Sequence, residues 1–149
     1  MRIIAVLFAC VLVAGVATAD GINITVTSAC DSSPGQLDAR TRKLHGEIAR
    51  RALTNSLDRD RVEAPGKRQL DVSVTNWVVS TAGNRSEVTA EIRIVICDEA
   101  GKMLSIINGK ATVIAYRVKV DDLRRQAISE AIDSVRRPLH AQLDARPNA

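Results

Sequence analysis

Hydrophobic positions along the chain change period several times, and each change marks an element. Residues 3–16 are almost unbroken apolar sequence. Ile22-Asn23-Ile24-Thr25-Val26-Thr27 then alternates apolar and polar, the period of a half-buried strand. Leu37, Leu44, Ile48, Ala52 and Leu57 recur at helical spacing and predict one apolar stripe on a helix of about six turns. Ser33-Pro34-Gly35-Gln36 reads as its start, with Ser33 capping, Pro34 in the first turn and Gln36 completing a capping box. Gly46 weakens that helix by roughly 1 kcal/mol relative to Ala. Residues 58–69 form a charged linker broken by Pro65-Gly66.

Period two then returns for three longer strands. Leu70, Val72, Val74 and Val78 share a face of the first, with Asn76 an exception on it. After a turn at Ala82-Gly83-Asn84, Val88, Ala90, Ile92, Ile94 and Ile96 share a face of the second. Thr89, Glu91 and Arg93 point the other way, as in an antiparallel sheet with one wet face. In the third strand Leu104 and Ile106 are in phase, whereas Ala111, Val113 and Ala115 fall out of step beyond Asn108-Gly109. A bulge at Gly109 explains the change and keeps the strand long; a type I′ turn there is the other reading. Asp121 caps a last helix carrying Leu123, Ala127, Ile128, Ala131, Ile132 and Val135, which Pro138 ends or kinks. The expected fold is α+β, a two-layer β-α-β-β-β-α sandwich: a four-stranded, largely antiparallel sheet with two helices on one face.

The apolar opening run follows Met1-Arg2 and ends at Ala17-Thr18-Ala19, a small-x-small cleavage pattern. Residues 1–19 therefore read as a secretory signal peptide, cleaved before Asp20. The run is short of the roughly 20 residues that span a bilayer, so the mature chain is expected to have no transmembrane segment. Cys10 follows Leu7-Phe8-Ala9, but the bulky Phe8 disfavours a lipid-anchored form. The expectation is an exported protein, periplasmic or extracellular, with residues 20–140 as one α+β domain and 141–149 as a flexible tail. The 149 residues suffice for one core, and a net charge of +4 with 26% charged residues is ordinary for a folded domain. One Trp, one Tyr and one Phe are too few for a base- or sugar-stacking surface, so no nucleic acid is expected as a partner.

The block Asp71-Val72-Ser73-Val74, Ser86 to Arg93, Gly101-Lys102-Met103-Leu104-Ser105 and Gly109-Lys110-Ala111 resembles uncharacterised secreted proteins of Gram-negative bacteria, notably myxobacteria. The element order is similar, in architecture alone, to small periplasmic domains of outer-membrane and curli-assembly lipoproteins. The resemblance implies an envelope or secreted setting and brings no catalytic residue or ligand.

The residues themselves bring little catalysis. His45 and His140 are the only histidines and read as solvated helix-surface groups, with no metal site. No serine sits in a Gly-x-Ser-x-Gly elbow, and Asp98-Glu99 and Asp121-Asp122 are explained by a turn and a helix start. The Arg pairs 50/51, 124/125 and 136/137 are interspersed with acids, as on ordinary solvated faces. No enzyme, cofactor or metal is expected. The leading reading is a non-catalytic protein that binds another envelope or secreted protein. A small apolar-ligand carrier, with a cavity at Ala90, Ala111 and Ala115, is the alternative, and an unrecognised hydrolase a lesser one. Strand alternation turns Trp77, Val79, Val95 and Ile107 outward as an apolar binding patch. A bulge near Asn76 would instead turn Trp77 into the core. Cys30 and Cys97 remain after cleavage in an oxidising compartment, and a bridge between them would stabilise by roughly 4 kcal/mol. A parallel first strand pair places them at opposite ends of the sheet, which opposes the bridge.

Overall fold

The period-two segments pair into one four-stranded sheet, and the helical stripes cover one of its faces. A computed structural model describes residues 23–145. The leader assigned to 1–19 and residues 146–149 lie outside that range. In chain order the elements are β1 (Ile24–Asp31), α1 (Ala39–Asp60), β2 (Arg68–Ala82), β3 (Arg85–Asp98), β4 (Met103–Tyr116), α2 (Val120–Ser134) and α3 (Arg136–Asp144). The strands lie in sequence order, with β1 and β2 parallel and the two following pairs antiparallel. The α+β, largely antiparallel architecture is as the pattern predicts. Its core joins Leu70, Val72 and Val74 of β2 and Val88, Ala90, Ile92, Ile94 and Ile96 of β3 with Leu53, Leu123, Ile128 and Ile132 of the helices.

The ends of the helices differ from the sequence reading. Asp38, not Ser33, caps α1, its carboxylate accepting from Thr41 N at 2.7 Å. Capping at Asp38 leaves residues 32–37 as a loop, in which Ser33 is buried and turns back to Asp31. α2 starts at Val120 without a side-chain cap, and Asp121 and Asp122 instead sit in its first turn, against the positive end of the helix dipole. The last helix is two helices. The backbone leaves helical geometry at Val135 (φ −99°, ψ 2°), and Pro138 falls in the first turn of α3, where its missing N–H costs nothing. Leu139 and Leu143 of α3 are buried, so residues 141–144 belong to the domain rather than to a flexible tail beginning at 141.

The buried face of α1 is turned by one position from the predicted stripe. His45, Gly46, Ala49, Leu53, Ser56 and Leu57 are buried, while Leu44, Ile48 and Ala52 lie at the margin. Gly46 is the reason. A Cβ there would stand 2.7 Å from the carbonyl oxygen of Ala29, so the helix packs against β1 through bare backbone.

Besides a shift in β1 at Val26/Ser28, two register shifts decide which side chains of β2–β4 face the helices. One lies in β2 between Val74 and Asn76, as the misplaced Asn76 suggested. The other lies opposite Ile96/Cys97, near Met103–Leu104, and not at Asn108-Gly109, which is neither bulge nor turn. From Ser105 to Tyr116, β4 runs in unbroken register with β3. Gly109 pairs with Ile92 on the helix side, where a Cβ would collide with Val135, and Leu104 and Ile106 face away.

Candidate functional site

β1 ends at Asp31, whose side chain is completely buried beneath the first turns of α1. His45 Nδ1 donates to Asp31 Oδ2 at 2.6 Å, Trp77 Nε1 donates to the same oxygen at 3.1 Å, and Ser33 N donates to Oδ1 at 2.9 Å. Ser33 Oγ donates to Oδ1 as well. The His45 and Trp77 rings lie 5.1 Å apart at 54°, and the Arg124 guanidinium stands 5.8 Å from the Trp77 ring centroid. Arg42 gathers the loop after β1 by donating to the carbonyls of Asp31, Ser33, Gly35 and Leu37. Burial alone would push the Asp31 carboxyl up. The hydrogen bonds from His45, Ser33 and Trp77 outweigh it and bring its pKa down to about 2.

The cluster contains a serine, a histidine and an aspartate, but in the wrong connectivity for nucleophilic catalysis. Ser33 donates to the carboxylate rather than to the imidazole, and His45 is only 2% exposed. Its chemistry is consumed in joining β1, α1 and β2. His45 is thus a core residue rather than the solvated histidine the sequence suggested. The Asp-x-Ser spacing after β1 and the glycine beside His45 were the available signals of a turn and of close packing.

A second ionic cluster joins α1 to α3. Asp60 is held by Arg136, with His140 Nε2 at 3.3 Å and Arg59 at 4.0 Å. The hydrogen bond from Arg136 keeps the Asp60 carboxyl below the usual carboxylate range. Asp60, Arg136 and His140 border a polar cleft of about 720 Å³ with Asp133, Arg137 and Pro138. Another cleft, of about 350 Å³, lies between Thr25, Thr27, Lys67, Gln69 and Glu99. Neither cleft touches Ala90, Ala111 or Ala115, which are buried in or packed against the core. Among the described residues no group of three His, Cys, Asp or Glu could hold a metal ion.

The structure does not bring Trp77, Val79, Val95 and Ile107 together. The β2 shift pairs Trp77 with Ala90 and turns it to the helix side, where it is half-buried against the core. Ile107 pairs with Ile94 and is itself core, 8% exposed. Val79 pairs with Val88 on that same side, near the projecting end of the β2–β3 hairpin, and is 40% exposed. Val95 alone faces the uncovered side, half-buried between Asp71 and Ile106. What does share that side is a different apolar set: Val78, Leu104, Ile106, Ile114 and Tyr116, each more than 40% exposed. Thr89, Thr112, Glu91 and Lys110 lie among them, paired by a 2.7 Å hydroxyl contact and a 3.2 Å ion pair.

The disulfide expectation is corrected by the same register. Cys30 pairs with Ser73 and Cys97 with Gln69, so β2 and four residues of strand separate them. At ~3.3 Å per residue that is ~13 Å along the sheet, beyond the reach of a disulfide. They do not bridge to each other.

No protein-family profile and no curated protein matches this chain. Solved structures do. A protein of Caulobacter crescentus CB15 assigned as a lipoprotein is 18% identical, with a TM-score of 0.52 over 76% of this chain and 89% of that one. The chain shares its fold. A minor lipoprotein from Acinetobacter baumannii (15% identity, TM-score 0.46, 78% and 94% covered) and the rare lipoprotein B of Shewanella oneidensis (9%, 0.40, 75% and 92%) are more distant. All three are described as bacterial lipoproteins.

Proposed function

We propose that this chain is an exported, non-catalytic protein of the bacterial envelope that acts by binding another envelope or secreted protein through the uncovered face of its sheet. The observation that carries the reading is the set of half-exposed apolar side chains on that face: Leu104 and Ile106 at one end of β4, Ile114 and Tyr116 at its other end, and Val78 on β2. Exposed apolar side chains interspersed with charged ones, here Glu87, Glu91 and Arg93 on the central strand β3, suit a binding face. The groups that resemble catalytic machinery are engaged in holding the fold together, which supports a binding role over a hydrolytic one. No helix among the described residues is long and apolar enough to cross a membrane. The leader at 1–19 supports export, with the likeness to myxobacterial secreted proteins on the same side.

The test is a photo-crosslinking residue placed at Thr112, in the middle of the uncovered face, and a second at Arg125, on the exposed side of α2, in producing cells. An adduct from Thr112 to a protein other than this chain, with none from Arg125, supports the reading, and an adduct from Thr112 to a second copy alone overturns it. Equal labelling, or labelling from Arg125 alone, overturns it. A second reading concerns the attachment of the chain: a neighbour described as a lipoprotein keeps acylation at Cys10 as the alternative to cleavage before Asp20. Mass spectrometry of the N-terminal peptide separates the two.

A further inference from the structure

The outer edge of β4 carries an inference beyond that reading. β1 and β4 are the two edges of the sheet, and they are finished differently. β1 has eight residues, a register shift at Val26/Ser28, and the Arg50 guanidinium donating to the Val26 carbonyl. Short length, irregularity and a covering charge are how a sheet edge is closed to other chains. β4 has fourteen residues, runs in unbroken register from Ser105 onward, and contains no proline. Its one charged side chain, Lys110, is already ion-paired to Glu91 at 3.2 Å. β4 shares with β1 a single register shift, near Met103–Leu104, and carries one lysine, but it has fourteen residues against eight and keeps unbroken register over Ser105–Tyr116.

Along the uncovered face β4 reads Leu104, Ile106, Asn108, Lys110, Thr112, Ile114, Tyr116, all exposed. The polarity of this row is the same read in either direction: two apolar residues, one neutral polar, the lysine, one neutral polar, two apolar. On the helix side Ile107 and Val113 flank Gly109 and Ala111 in the same symmetric order. A two-fold axis laid through Lys110 therefore sets Ile106 against Ile114 of a second copy and Leu104 against its Tyr116, and Asn108 meets Thr112. Antiparallel pairing requires residues of one face to meet residues of the same face, and this register satisfies it at every position. The two lysines meet at the axis, a like-charge contact that the ion pair of each to Glu91 of its own chain, at 3.2 Å, offsets.

We infer that β4 is a self-recognition edge, through which two copies of this chain join into one continuous eight-stranded antiparallel-centred sheet. Roughly a dozen ladder hydrogen bonds would satisfy edge groups now left to water. The joined sheet doubles the apolar uncovered face while leaving its partner-binding role a separate question.

The experiment is sedimentation equilibrium of the purified protein, in the processed form its producing cell delivers, at micromolar concentrations. Wild type is expected to be a dimer. The double variant Ile106→Lys/Ile114→Lys puts like charges opposite one another at both symmetric contacts and is expected to weaken association at least tenfold. Ile106→Glu/Ile114→Lys puts opposite charges there and is expected to restore it. Both sites are exposed, and far-UV circular dichroism checks that each variant folds. Amide exchange on wild type serves independently of the variants: dilution should release protection in residues 103–116 and leave β1 unchanged. A wild type that is monomeric at 100 µM overturns the inference. So do a Lys/Lys variant that associates like wild type, an opposite-charge variant that stays monomeric, and concentration-dependent protection confined to β1. Crosslinking from Thr112 to an envelope protein is read separately, so loss of the dimer and loss of the binding reading are distinguishable.

Discussion

Asp31 shows what one buried carboxylate does in this chain. With its side chain fully buried, an ionised Asp is tolerable because four hydrogen bonds and the nearby Arg42 replace the water it has lost. Its folded pKa of about 2 lies below the unfolded value of 3.8, so the depressed group stabilises the fold at every pH above the unfolded value. That contribution, about 2 kcal/mol from the size of the shift, is lost as pH falls from about 4 to about 2. Asp31→Asn should therefore lower stability at pH 7 and flatten its dependence between pH 4 and 2. Urea unfolding at a series of pH values measures both. An unchanged acid limb in the variant would assign the acid sensitivity to other carboxylates, Asp60 first among them.

At the scale of elements, α1 and β1 meet through Gly46. In an isolated helix Gly→Ala would gain roughly 1 kcal/mol. Here the added methyl meets a backbone oxygen of β1 that cannot move without shifting Asp31 and the loop behind it. Gly46→Ala is expected to lose about 1–3 kcal/mol by chemical denaturation, the overpacking cost outweighing the propensity. A gain in stability would mean that the helix can step away from the strand. The same contact explains why the buried stripe of α1 is displaced by one position: packing follows the smallest residue, not the most apolar ones.

For the whole molecule, the order of strands settles the cysteines. Because the crossover through α1 makes β1 parallel to β2, Cys30 lies toward the far end of β1 while Cys97 stands beside Gln69 at the near end of β2. Peptide mapping without reduction, on protein recovered from an oxidising compartment, is expected to find no Cys30–Cys97 linked peptide. Finding one in folded, monomeric protein would contradict the register of the sheet.

The strands and the fold class were legible in the sequence because a half-buried sheet writes period two directly into residue identity, as Val88 to Ile96 do. Even the β2 shift left a trace, since a polar Asn76 on an apolar face marks a strand that has slipped by one. The candidate site was not legible to the same degree. A one-residue shift reverses every side chain beyond it, so it took Trp77 to the helix side, and the unbroken register of β4 put Ile107 in the core and Ile106 outside. The buried cluster was equally hidden: Asp31, His45 and Trp77 lie on three elements, and no local spacing records that they meet. Sequence determined which segments alternate and which face each could bury. Only the tertiary structure decided the phase of that alternation, because phase depends on where strands slip and helices press closest.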